Sequence, residues 1–139
     1  MDQYVTFNST YHILICRQCG YAISQNGITR HFRQCHKTIP LTTRQKIIEY
    51  GESLELWQPK VVQDTWNNSN TKFPIEGLTI SSGFQCLYHD CSQLTRTEIS
   101  IQQHCRENHN WIMKDGIMWR TQELQTFFEG PNRRYQYIR

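Results

Sequence analysis

Eight cysteine and histidine residues fall into two sets of matched spacing, and no other feature limits the fold of this chain as strongly. Cys86 and Cys91 are separated by four residues, twelve lead to His104 and four more to His109, giving C-x4-C-x12-H-x4-H. Cys16 and Cys19 are separated by two residues, eleven lead to His31 and four to His36. Both patterns lie within the spacing range of a Cys2His2 zinc site. Two cysteines on a tight turn present thiolates at about 2.3 Å from the metal, and two histidines on the following helix present imidazole nitrogens at about 2.0 Å. An apolar residue stands three positions before each first histidine, Ile28 and Ile101, where it packs beneath the site. The histidine segments align as H-F-R-Q-C-H and H-C-R-E-N-H, sharing H-x-R-x-x-H, so the chain reads as a repeated unit holding two zinc ions.

The fourth ligand of the first set has two candidates. His31 and Cys35 are four apart and share one face of an α-helix, whereas His31 and His36 are five apart and require the helix to tighten or unwind. Local geometry therefore favours Cys35. Repeat symmetry favours His36, because Asn108 occupies the position matching Cys35 and only His109 closes the second set. We take His36, which leaves Cys35 and Cys105 as spare cysteines expected to be buried packing.

Zinc staples suit the rest of the composition. The chain is poor in aliphatic residues for its 139 positions and carries four Trp, seven Tyr and six Phe, a thin core that benefits from metal cross-links. The apolar runs are too short for a transmembrane helix. The start Met1-Asp2-Gln3 has no charged region followed by an apolar one, so no secretory signal is expected. With the Cys/His pairing, this favours metal in a reducing compartment over disulfides.

Taken in order, Tyr4 to Ile15 reads as an extended lead into the first finger, with Ile13 and Ile15 on one side. Leu14 to Tyr21 reads as the zinc knuckle, and Ser24 as the N-cap of a helix running to about Lys37. Leu41 to Leu56 reads as helix capped by Thr42 or Thr43, interrupted by Gly51 and ended by Gln58-Pro59. Lys60 to Lys72 reads as a polar loop around Trp66. Gln122 to Glu129 is short and amphipathic with Leu124, Phe127 and Phe128 inward, and Tyr135 and Tyr137 alternate with arginines in the tail. The expected architecture is small α+β: two C2H2-type ββα fingers joined by a helical and extended insert into one zinc-stapled domain. The segments are 1–40, the first finger with an N-terminal strand; 41–80, the connecting helix and loop; 81–112, the second finger; and 113–139, a C-terminal helix and basic-aromatic tail.

Several segments together resemble a known family. Beyond the zinc ligands, Pro74 to Leu78 (P-I-E-G-L), Gly83 to Cys86 (G-F-Q-C) and Gln125 to Phe128 (Q-T-F-F) are similar to the fungal domain named after the orsellinic acid biosynthesis cluster protein D, the OrsD-type family. That domain is found alone and attached to larger proteins, including helicase-like ones. The resemblance implies paired zinc sites in one domain and a nuclear setting; it implies no substrate or reaction.

Charge is uneven along the chain. From Gln3 to Ile48 there are six basic residues, Arg17, Arg30, Arg33, Lys37, Arg44 and Lys46, and no acidic one. A basic segment centred on a zinc finger points to nucleic-acid phosphates, so DNA is the expected partner. Counting back from the first histidines, the base-reading positions would be Ser24, Gly27 and Arg30 in one finger and Thr97, Ser100 and Gln103 in the other. About fifty residues separate the fingers, and glycine and serine are poor readers, so contact led by phosphates is expected rather than sequence-specific reading by both. The alternative is a zinc-stapled protein-interaction module with aromatics such as Trp57, Trp66, Tyr135 or Tyr137 on its surface. Enzyme activity is not expected, because each zinc would have four protein ligands and no open position. No small-molecule substrate is expected either. His12 and His89 are the histidines outside the two sets.

Overall fold

The central strand of each sheet carries the first cysteine of its set. The computed structural model describes residues 2–138, which form two compact units, both discontinuous in sequence. The first contains the chain up to Thr71, with Ile75–Thr79 and Thr126–Arg134. The second contains Lys72–Pro74, Ile80–Gln125 and the residues from Tyr135 onward. The protein is small α+β, with two Cys2His2 groups each on a strand–strand–helix frame.

In the first unit, β1 (Val5–Asn8), β2 (Ile13–Cys16) and β3 (Tyr21–Ile23) form an antiparallel sheet in the order β1-β2-β3. All four residues of β2, Ile-Leu-Ile-Cys, are buried, so both of its faces are covered rather than one. The turn between β1 and β2 is held by Asn8, whose side-chain oxygen accepts from the N–H groups of Thr10 and Tyr11, each at 3.0 Å. Gly20 ends the knuckle at φ +77°, and its carbonyl accepts from the Thr79 N–H at 2.9 Å. A Cβ at Gly20 would stand 1.9 Å from Thr79 Oγ1, so both conformation and close approach require glycine.

The helix of the first finger is shorter than the sequence predicts. A 3₁₀ turn, Gln25–Gly27, precedes α1 (Ile28–Gln34), and Ser24 makes no side-chain cap bond. The neighbouring Gln25 is tied up instead: its amide donates to the carbonyls of Gly51 (3.2 Å) and Leu54 (2.9 Å) and accepts from the Leu56 N–H (3.1 Å). Helix α2 (Leu41–Ser53) starts after Pro40, with no side-chain cap from Thr42 or Thr43. Gly51 does not interrupt it. It is buried within α2, where an added Cβ would lie 3.0 Å from Ile28 Cδ1 and 3.1 Å from Leu14 Cδ2, so its missing side chain lets α2 lie close on α1 and β2. The core here joins Val5, Leu14, Cys16, Ile23, Ile28, Phe32, Ile47 and Leu56.

Lys60 to Asn67 is helical rather than loop. Helix α3 (Pro59–Asn67) has proline at its start, where the missing N–H costs no bond; Pro59 opens this helix, and α2 has ended six residues earlier at Ser53. Burying Trp66 against Tyr11 and Phe127, with ring centroids at 6.1 and 5.8 Å, stabilises this short helix from outside.

In the second unit, β4 (Ser81–Cys86), β5 (Leu94–Thr95), β6 (Trp119–Gln125) and β7 (Gln136–Tyr137) form an antiparallel sheet in the order β5-β4-β6-β7. Helix α4 (Glu98–His109) is capped by Thr97, whose hydroxyl accepts from the Ser100 N–H at 3.1 Å, and ends at Asn110 in the left-handed conformation, φ 53°. Among the described residues no α-helix follows α4, only the 3₁₀ turns Met113–Asp115 and Gly130–Asn132. Gln122–Gln125 belong to β6, because register with β4 from Ser81↔Leu124 to Cys86↔Trp119 outweighs the helix preference of Glu, Leu and Gln. Leu124, Phe127 and Phe128 are nevertheless buried, as their pattern predicts.

The two units extend their fingers in the same way. β1 pairs with β2 through Val5↔Cys16, and β6 pairs with β4 through Cys86↔Trp119. One residue beyond each cysteine the pairing continues, Arg17 N–H to the Tyr4 carbonyl and Leu87 N–H to the Met118 carbonyl, both 2.9 Å. Each metal-bearing strand is thus an interior strand. No helix among the described residues is long and apolar enough to cross a membrane.

Candidate metal centres

Cys16 ends β2, Cys19 sits in the knuckle turn, His31 lies on α1 and His36 follows it. Their ligand atoms converge: Cys16 Sγ to His36 Nε2 is 3.3 Å, Cys19 Sγ to His36 Nε2 is 3.3 Å, Cys19 Sγ to His31 Nε2 is 3.8 Å, and the two Nε2 atoms are 2.9 Å apart. In the second set Cys86 Sγ is 3.5 Å from His109 Nε2 and Cys91 Sγ is 3.2 Å from His104 Nε2. Within each set the four atoms all lie within 4.8 Å of one another. A tetrahedral centre with arms of about 2.3 Å to sulfur and about 2.0 Å to nitrogen has sulfur–nitrogen edges of about 3.5 Å. Both sets match that size, and their soft-and-borderline donors suit a tetrahedral transition-metal ion.

The burial of the ligand groups supports the same reading. Burial pushes the Cys16 thiol up to about 11 and the Cys86 thiol up to about 12. Burial, with the neighbouring His36, pulls His31 down to about 4, and burial also lowers His36 and His104. Without a cation, each pocket therefore holds protonated thiol beside imidazole that is already in its neutral, ligating form. A bound cation supplies the positive charge that makes the thiolates favourable.

Both sets lie inside the residues 3–110 matched by the family model described as Orsellinic acid/F9775 biosynthesis cluster protein D. The chain belongs to this family. A curated relative, the Orsellinic acid/F9775 biosynthesis cluster protein D of Emericella nidulans (strain FGSC A4), is 31% identical over 129 residues, which is 93% of this chain. The chain spans 24% of that relative's length. No solved structure matches. The family model ends before Gln125–Phe128, so that part of the resemblance lies outside its matched span.

Between the two candidates for the fourth ligand of the first set, the structure brings in His36. Helix α1 stops at Gln34 and Cys35, still in the helical region and bonded to the His31 carbonyl, serves as its C-cap, so His36 lies beyond the regular helix. Cys35 is exposed, contrary to the expectation of buried packing, because the same turn points it outward; Cys105 is fully buried beside Cys86 and Ile101.

The basic residues of the first finger divide by role. Arg17, Arg30, Arg33, Lys37 and Lys46 are exposed. Arg17 Nε–H donates to Thr6 Oγ1 at 2.6 Å and Arg30 Nε–H to Gln34 Oε1 at 3.3 Å, contacts that leave most of each guanidinium outward. Arg44 is half-buried and committed to structure: its Nε–H donates to the Ile39 carbonyl at 2.9 Å and its Nη1 to the Arg33 carbonyl at 3.4 Å. It closes the turn after α1, where carbonyls need a cationic donor.

The base-reading positions fare poorly. Ser24, Gly27 and Arg30 line a cleft of about 590 Å³ whose other bank is Phe128, Glu129 and Asn132. In the second finger Thr97 and Ser100 are spent on the cap, with a 2.7 Å hydroxyl contact, and Gln103 donates to Glu107 at 3.0 Å.

Sequence reasoning missed two supports of the second centre. Tyr88 stacks on His109 with ring centroids 4.2 Å apart and planes 3° apart. Asn108, one helical turn after His104, donates its side-chain N–H to the His104 carbonyl at 3.0 Å and so braces the helix turn that carries this ligand. The signal was present, since both residues stand beside ligands. The remaining histidines have local roles: His12 stacks on Trp57 at 4.6 Å with Nδ1 3.1 Å from the Glu55 carbonyl, and His89 pairs with Asp90 at 3.0 Å while almost fully exposed.

Proposed function

We propose that this chain is a zinc-stapled binding module that grips nucleic-acid phosphates with the basic end of its first finger, in the nucleus, and performs no catalysis. Zinc is the ion that best fits two Cys2His2 sets with four protein ligands each, an arrangement that leaves no coordination position for a substrate. When bound, the ion cross-links each sheet to its helix and supplies no reactive group. The observation that carries the nucleic-acid reading is the exposure of Arg17, Arg30, Arg33, Lys37 and Lys46 on a 46-residue stretch, Gln3 to Ile48, without one carboxylate. The cleft-lining and capping duties of the base-reading positions favour grip by phosphate over sequence readout.

The test is fluorescence anisotropy of the zinc-loaded chain with labelled DNA across a salt series. Affinity should fall steeply with salt, and the triple variant Arg17→Ala, Arg33→Ala, Lys37→Ala should lower the log–log slope by about two to three. No binding at low salt sinks the reading. A second reading, a protein-interaction module, is favoured by the loop after α4. Ile112, Met113 and Ile117 are 56%, 85% and 73% exposed there, on a loop braced by Trp111 Nε1–H to the Gly116 carbonyl (2.7 Å) and Ile112 N–H to Asp115 Oδ2 (2.9 Å).

A further inference from the structure

We infer that the cleft beside α1 is a binding site for single-stranded nucleic acid, holding an unstacked nucleotide between the helix and the loop from Phe128 to Arg134. This rests on the proposed phosphate-binding role of the first finger and names the form of nucleic acid it takes.

The argument begins with shape. A finger reads duplex DNA by pushing its helix into a major groove about 12 Å wide, which requires a convex, unobstructed helix flank. Here that flank is concave. The Ala22 N–H donates to the Phe127 carbonyl at 2.7 Å, which draws Thr126–Phe128 onto the outer edge of β3 and raises the following loop as a wall facing Arg30. A duplex cannot seat its groove on a helix flank facing such a wall. The space of about 590 Å³ is instead in the range that encloses a small molecule or a single nucleotide.

The lining has the chemistry for that occupant. Single strands are held by cationic rims that track phosphates and by aromatic rings on which bases stack. Arg30 supplies a cation from the helix bank. Arg134 lies outside the lining, two residues beyond Asn132 at the end of the loop; it is exposed, and its Nη1 donates to the carbonyls of Pro131 (3.4 Å) and Arg133 (2.7 Å). The carboxylate lining the cleft, Glu129, is paired with Arg133, so it does not leave a net negative charge against a phosphate. Half-buried Tyr21 offers a ring at the floor, and Ser24, Gln34 and Asn132 offer hydrogen-bonding groups for a base edge.

The experiment compares a labelled oligothymidylate with a labelled duplex of the same length, using the zinc-loaded 139-residue chain. The single strand should bind about tenfold more tightly. Arg30→Ala and Arg134→Ala should each weaken single-strand binding by about three- to tenfold and reduce its salt slope by about one. Tyr21→Leu, which keeps bulk but removes the stacking ring, should weaken it by at least about fivefold. Zinc content and thermal unfolding of each variant confirm that the fold is intact. Equal or tighter duplex binding, or single-strand binding indifferent to Arg30 and Arg134 in folded protein, overturns the assignment. If that indifference is accompanied by loss of binding in the Arg17, Arg33, Lys37 variant, the phosphate-binding reading stands and the cleft falls. No binding to either ligand removes both.

Discussion

The second metal centre should release its ion before the first, and Tyr88 should set the rate. Three of the four ligands in the second set are half-buried, against one in the first. The first set is also walled by Phe32, fully buried and edge-on to His31 at 4.9 Å. The second relies on the Tyr88 ring lying flat over His109 at 4.2 Å. An aromatic pair of this kind is worth about 0.5–1.5 kcal/mol beyond area burial, so Tyr88→Ala should speed release by about 2- to 12-fold. The assay uses cobalt-substituted protein, whose visible absorption disappears as a chelator removes the metal. Release should be biphasic; Cys91→Ser should delete the fast phase, assigning it to the second centre. Tyr88→Ala should accelerate that phase alone, while Tyr88→Phe, which keeps the stacked ring, should stay within about twofold of the parent. A fast phase indifferent to Tyr88→Ala, or equal acceleration of both phases, refutes the reasoning.

Other outcomes follow from the same geometry. Cys86→Ser or His104→Ala should unfold the second finger and halve the metal content, because structural zinc binding of about 10–16 kcal/mol is folding free energy in units of this size; a native-like spectrum with full metal content would contradict the two-centre structure. Gly51→Ala should lower the melting temperature, since the new methyl meets Ile28 and Leu14 at 3.0 and 3.1 Å and overpacking of this kind costs about 1–3 kcal/mol. Metal affinity should rise with pH. Cys16 and Cys86 are protonated at neutrality, with thiols held near 11 and 12, and each loses a proton on ligation. Affinity at each centre should therefore climb by at least about tenfold per pH unit across neutrality. His31 stays neutral down to about 4, so it adds no further proton in that range. A pH-independent affinity measured by competition with a chelator would show that the thiols are already ionised.

Ligand spacing is a local property of the chain, which is why both metal sets and the knuckle at Gly20 could be read from sequence. What required tertiary structure was hidden for identifiable reasons. Pro59 is ambiguous in isolation, because proline both ends one helix and opens the next, and only the Tyr11–Trp66–Phe127 cluster shows that α3 forms. The segment after Arg120 carries helix-forming residues, and its strand state is imposed by pairing with β4. Gly51 reads as a helix breaker until the side chains of Ile28 and Leu14 are seen against it. Arg44 is indistinguishable from its basic neighbours in sequence, yet two carbonyls claim it. The exposure of Cys35 follows from a helix ending one residue before it.

The placement of the extra strands bears on what the finger pattern is for in this chain. A minimal ββα finger leaves its helix free for a groove and uses the metal in place of a core. Here β1 and β6 convert each first-cysteine strand into an interior strand, and the side chains opposite those cysteines, Val5 and Trp119, are buried. The metal sets are therefore joints within larger sheets. Separately, Phe127 lies on the edge of β3, and Thr97 and Ser100 are committed to capping the start of α4, so neither finger keeps the free flank that groove reading needs. Function in such a unit lies on whatever surface the enlarged fold leaves charged and open. On the first unit that surface is the basic end of α1 and the cleft beside it, so under the proposed function variants at Arg17, Arg30 and Lys37 should change binding, whereas variants at the eight ligands should mainly report on folding.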